Sequence, residues 1–131
     1  MCYNYFCMGR KLAFNAELFF AAFADNTRLR LLNLMRDGEV CVCFFAEALG
    51  TNNPKISRHL SYLKRAGLVS GRREGKWIHY SIQKPTDQPA KAVLDAVMDM
   101  FGGDRQMQDD RKRMEEICCA PPRPVAITKR S

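Results

Sequence analysis

The chain has 131 residues, 47% of them hydrophobic, a net charge of +7 and a sequence pI near 9.3. That length suits one domain, and that apolar share excludes a disordered tail. No stretch approaches the ~20 apolar residues of a membrane-crossing helix, and the apolar run 18–23 is too short, and too close to Glu17, for a secretory leader.

A cytoplasmic protein without a membrane partner is therefore expected. Its six cysteines then read as metal ligands or redox thiols, not as a disulfide frame. The positive charge is uneven. Lys55, Arg58, Lys64, Arg65, Arg72, Arg73 and Lys76 crowd one stretch against the single acid Glu74, which favours a nucleic-acid partner over a merely basic surface.

In chain order, residues 1–10 form an N-terminal arm with Cys2 and Cys7. Residues 11–24 are predicted as a helix whose stripe of Leu18, Phe19, Ala22 and Phe23 is widened by Phe14 and Phe20. A helix apolar around most of its girth faces both its own core and a second subunit. Asp25 is a predicted N-cap for a helix carrying Leu29, Leu31, Leu32, Leu34 and Met35, ended by Asp37-Gly38. A short helix follows over 42–49, stopped by Gly50. Asn52 or Asn53 caps the next, with Pro54 in its first turn, where a missing N–H costs nothing. Ile56, Leu60 and Leu63 recur at i, i+4, i+7 and face the core.

From Leu68 the period changes to two, and Glu74-Gly75 is the predicted turn of a hairpin with a basic tip. Residues 84–89 are a linker. A last helix runs from Ala90, is interrupted at Gly102-Gly103 and resumes to Cys119. The domain thus spans 11–119 and a basic tail spans 120–131.

A short helix, a turn at 50–53 and a helix with a polar outer face make a helix-turn-helix. The major groove admits one such helix, whose outer side chains read base edges while flanking cations grip phosphates. Candidate DNA contacts are Asn53, Lys55, Ser57, Arg58, His59 and Tyr62, with Arg72, Arg73 and Lys76 on the hairpin. A plain helical hairpin with a solvated basic face would explain the helices but not the basic β-hairpin immediately after them. The fold class is mainly α with a β-hairpin, a winged helix-turn-helix.

Asp25-Asn26-Thr27-Arg28-Leu29-Arg30-Leu31-Leu32, Ser57-Arg58-His59-Leu60 with Ala66-Gly67-Leu68-Val69, and Arg72-Arg73-Glu74-Gly75-Lys76-Trp77 together resemble the ArsR/SmtB family of metal-responsive bacterial repressors. The resemblance covers about residues 12–101. It implies a homodimer built by the first and last helices, an apo form seated on operator double-stranded DNA, and release on metal binding. Glu39-Val40-Cys41-Val42-Cys43 is similar to the inducer-binding motif of the arsenic and cadmium branches.

Thiolates suit soft ions. Cys41 and Cys43 sit at a helix N-terminus, where the dipole favours thiolate. Residues two apart on an intact helix point to nearly opposite sides. Both can hold one ion only if Cys41 lies outside the helix or the first turn unwinds, which would strain the support of the recognition helix. The competing reading is that they are small buried hydrophobes.

The expected inducer is As(III) or Sb(III), which take three sulfurs. In the best-known arsenic pattern a third cysteine follows the second by three residues, and here that position is Ala46. Cys118 and Cys119 are the preferred source of the missing sulfur. Cys2 and Cys7 resemble the arm thiols of cadmium/lead sensors and would imply a Cd(II)- or Pb(II)-responsive repressor. A thiol redox sensor on the same DNA-binding frame is a further alternative.

The zinc site of the family, built from Asp and His on the last helix, has no counterpart, since the histidines are His59 and His79. His59 reads as structural or DNA-facing, Tyr80 as hairpin core and Trp77 as packing for the wing base. A structural zinc site is disfavoured by the Cys-x-Cys and Cys-Cys spacings. An enzyme is not expected, because no glycine-rich loop surrounds any cysteine.

Overall fold

The computed structural model describes residues 15–118. Cys2, Cys7, Cys119 and both expected domain boundaries lie outside the described residues. Six helices and three strands follow one another: α1 (Ala16–Ala22), α2 (Asn26–Leu34), β1 (Val40–Cys41), α3 (Val42–Leu49), α4 (Asn53–Arg65), β2 (Val69–Glu74), β3 (Trp77–Ile82), α5 (Gln88–Met100) and α6 (Arg105–Cys118). A single 3₁₀ turn, Phe101–Gly103, separates the last two helices.

Short polar side chains start the helices by accepting orphan N–H groups. Asn15 accepts from Leu18, Asp25 from Thr27 and Arg28, Asn52 from Lys55, Asp87 from Ala90 and Asp104 from Met107. Pro54 and Pro89 occupy first-turn positions. Gly50 ends α3 at φ 67°, a left-handed backbone that favours glycine. The core gathers Phe19, Leu31, Leu32, Phe45, Ile56, Leu60, Leu63, Leu68 and Leu94. Ile56, Leu60 and Leu63 face it from α4, as their spacing predicts.

The structure departs from the sequence pattern in three places. The described part of the first helix stops at Ala22, where Arg28 Nη2 and Nε donate to the carbonyls of Ala21 and Ala22. The hairpin turns on Gly75-Lys76, one residue later than predicted, because Glu74 pairs with Trp77. A third strand, β1, joins the hairpin, giving the order β1-β3-β2 with Val40 opposite Tyr80 and Cys41 opposite His79. The last helical region breaks at Gly102-Gly103 as its sequence predicts, and α6 packs on α2 and α3 of its own chain.

α6 is fixed by polar contacts as well as by Met107 and Met114. Arg30 grips Asp110 through Nε (2.6 Å) and Nη2 (2.9 Å), and Asp110 is 3% exposed. Gln106 also donates to Asp110, and Asn33 donates to the Met107 carbonyl at 2.9 Å. Breaking such a pair leaves an uncompensated, largely buried charge. Asp110→Ala is expected to destabilise the chain by ~2–4 kcal/mol, read from urea unfolding. Hydrogen exchange should show the α6 amides losing protection first.

Candidate nucleic-acid interface and thiol site

α4 presents Lys55, Ser57, Arg58, Ser61, Lys64 and Arg65 to solvent, with Asn53 half-buried in its first turn. His59 and Tyr62 turn partly inward toward α2. The Arg28 guanidinium lies 4.2 Å from the centre of the Tyr62 ring, with Arg65 at 5.2 Å. Arg28 Nη1 is also 3.3 Å from His59 Nδ1. Arginine can only donate, so Nδ1 is the acceptor and His59 is neutral, carrying its proton on Nε2. Arg28 therefore ties the end of α1 and the start of α2 to the inner flank of α4. Sequence reasoning assigned it no role, and only its place beside the Asp25 cap could have pointed to it.

On the hairpin, Arg72, Arg73, Glu74 and Lys76 are exposed, and Trp77 is half-buried at the wing. Arg72 is engaged by Glu39: Nε to Oε2 at 2.9 Å and Nη2 to Oε1 at 2.7 Å. Glu74 adds a contact at 3.3 Å and also lies 3.4 Å from His79 Nε2. The Arg72 hydrogen bond holds the Glu39 carboxyl below the usual carboxylate range. Tyr80 is half-buried against the core, and burial pushes its hydroxyl up. Gly71 makes room for it, since a Cβ there would sit 3.2 Å from the Tyr80 ring.

The two motif thiols come together. Cys41 ends β1 and is the N-cap of α3 with extended backbone, φ −71° and ψ 140°, while Cys43 lies in the first turn. Their sulfurs are 3.5 Å apart. Cys41 thus lies outside the helix, and no unwinding is needed to bring the pair together. The helix dipole does not poise Cys43 as a thiolate, however. Both residues are buried, at 9% and 8% exposure, and burial first, then the Cys41 sulfur, pushes the Cys43 thiol up to about 12.

Cys118 lies at the end of α6, its sulfur 3.5 Å from that of Met114. It lines a cavity of about 440 Å³ with Leu34, Glu39, Val40 and Glu115. That cavity reaches Val40, the neighbour of Cys41, but among the described residues no group of three or more His, Cys, Asp or Glu is arranged to hold a metal ion. Among them, too, no helix is long and apolar enough to cross a membrane.

Residues 25–70 match the family described as "Bacterial regulatory protein, arsR family". Over 108 residues the chain is 39% identical to the arsenic resistance transcriptional regulator ArsR1 of Pseudomonas putida, a span of 82% of this chain and 83% of that protein. The chain belongs to the ArsR family.

The arsenical resistance operon repressor of Escherichia coli is 42% identical over 77 residues, which are 58% of this chain and 66% of that one. The fold is similar to a homodimeric winged helix-turn-helix DNA-binding domain from Mycobacterium bovis, a possible ArsR-family regulator. That likeness has a TM-score of 0.55 at 34% identity and covers 64% of this chain and 78% of the other. As an ArsR-family member the chain is a DNA-binding transcriptional regulator and not an enzyme.

The His59 environment sets a pH dependence. Burial is the main cause of its lowered pKa, with Arg28, Arg58 and Lys55 adding to it and Asp25 opposing. Below the ordinary histidine value of ~6.5 the unfolded chain binds this proton more readily than the fold does. Its contribution to stability is therefore present above that value and is lost as pH falls through the lowered one. Urea midpoints at neutral and mildly acidic pH should show wild type losing more stability on acidification than His59→Gln.

Proposed function

We propose that this ArsR-family chain is a repressor that binds operator duplex as a homodimer and releases it when As(III) or Sb(III) binds through cysteine sulfurs. The observation that carries this reading is the 3.5 Å Cys41–Cys43 sulfur pair at the start of α3, the helix packed beneath α4. Metal–sulfur bonds of ~2.3 Å at ~90–110° place two sulfurs ~3.3–3.8 Å apart, so the pair fits one shared atom.

The raised Cys43 thiol favours a metalloid. When arsenous acid condenses with a thiol, one S–As bond forms, one As–O bond breaks and the thiol proton leaves in water. Cd(II) must instead displace the proton into solvent, which a raised thiol pKa opposes. An oxidant needs the thiolate too, so the redox reading is disfavoured on the same ground. Cys118 and Cys119 supply the third sulfur in this reading, supported by the cavity that Cys118 shares with Val40. Cys2 and Cys7 would complete a Cd(II)/Pb(II)-type site.

The dimer reading is supported by Phe20 on α1 and Met100 on α5, which stand 57% and 72% exposed. Two copies of α4 then meet two half-sites about one or two helical turns apart. Asn53, Lys55, Ser57 and Arg58 address the groove, and Arg72, Arg73 and Lys76 the backbone. His59 and Tyr62, with Arg28, hold α4 in place.

Arg73→Ala and Lys76→Ala should each weaken binding to every sequence and lower the salt slope by about one. Fluorescence anisotropy at several salt concentrations reads this, and an unchanged slope would remove the wing from the interface. Arg58→Ala should instead alter sequence preference.

Release of a protein-selected duplex by arsenite, antimonite, Cd(II) and Pb(II) tests the switch. Cys41→Ser and Cys43→Ser should each keep duplex affinity and lose release by arsenite. Replacing Cys118 and Cys119 together should also abolish it, while replacing Cys2 and Cys7 should not. The reverse pattern would turn the site into a cadmium/lead type.

A further inference from the structure

We propose that Glu39 couples the thiol pair to the wing by competing with DNA phosphate for Arg72. This deepens, and rests on, the reading of the chain as a thiol-switched repressor.

Arg72 occupies the hairpin position best placed to report on the thiols. The sheet order β1-β3-β2 makes Cys41, His79 and Arg72 lateral partners in one row. Pleating puts such partners on one face. Glu39 lies two residues before Cys41, close enough that a shift of the Cys41 backbone moves its carboxylate. That carboxylate holds Arg72 through two parallel N–H···O bonds at 2.9 and 2.7 Å.

The same two-pronged geometry is how a guanidinium takes a phosphate. Among the described residues neither Arg73 nor Lys76 is held by a carboxylate, so Arg72 is the wing cation whose availability Glu39 controls. The Arg72 side chain remains 53% exposed, and an exposed pair is weak enough for phosphate to displace it. In the released state Glu39 keeps Arg72, and on the operator a phosphate takes it. Ligation at Cys41 acts on the residue that sets the carboxylate's position, and so on which partner wins.

The test is a double-substitution cycle of Glu39→Gln and Arg72→Ala in the full chain. The probes are a duplex selected from random sequence by the wild-type protein, and sodium arsenite. Arsenite uptake is followed separately by the ultraviolet absorption of the S–As bond. Glu39→Gln should tighten duplex binding about fivefold or more in the Arg72 background, and take up arsenite normally while releasing less DNA. With Arg72→Ala in place the same change should alter affinity by less than about twofold.

An equal gain in both backgrounds would be a general charge effect and would overturn the proposal. So would an unchanged factor of release by arsenite in Glu39→Gln. Failure of the parent reading looks different: wild type would not bind the duplex, or would take up arsenite without letting go, and the proposal would fall with it.

Discussion

The pairing of Val40 with Tyr80 and of Cys41 with His79 ties the start of α3 to the wing. Cys41 belongs to two elements at once, as the last residue of β1 and the N-cap of α3. Its extended backbone turns its sulfur toward that of Cys43, which a continuous helix would not do. The same two-residue strand sets Glu39 beside Arg72. Sulfur proximity, the hold on Arg72 and the attachment of the wing to the domain all depend on this junction, so a change at either thiol is felt on the sheet and on the helix beneath α4.

α6 closes the other side. It crosses α2 and α3, and Asp110 is carried into a buried position where Arg30 and Gln106 meet its charge. A buried ion pair adds little net stability compared with apolar residues of the same shape, but losing one partner is costly. The pair therefore fixes where α6 lies more than it strengthens the fold. That position matters for the thiols, because α6 covers the helix they start and delivers Cys118 to a cavity bordered by Val40.

Much of the DNA-facing half was legible in the sequence because local rules decide it. Asn52, Pro54 and the Ile56, Leu60, Leu63 spacing define α4 without reference to the rest of the chain. The hairpin was legible from its period of two, but its turn fell one residue later, since the pairing of Glu74 with Trp77 is a property of two strands and not of one segment. β1 was not legible: two residues carry no alternation, and the pairing of Val40 with Tyr80 spans distant parts of the chain. Asp110 reads as a solvated charge until Arg30 is brought to it. The thiol pair was visible as a motif. The upward push on Cys43 was not, because desolvation is set by neighbours and outweighs the helix dipole that spacing alone suggests.

Burial of the thiols also bears on how a switch of this kind works. In the proposed switch the two thiols start at 9% and 8% exposure, so ligation works against the packing around β1 and the first turn of α3. A ligand that binds better once either element has shifted has a differential interaction with two states of the protein, the condition for any ligand to move an equilibrium. Coupling of ~1–3 kcal/mol is the usual size for such linkage. In the proposed switch the two-residue strand is the short element beside the thiols, while α6, fixed by the buried Arg30–Asp110 pair, packs on α2 and α3.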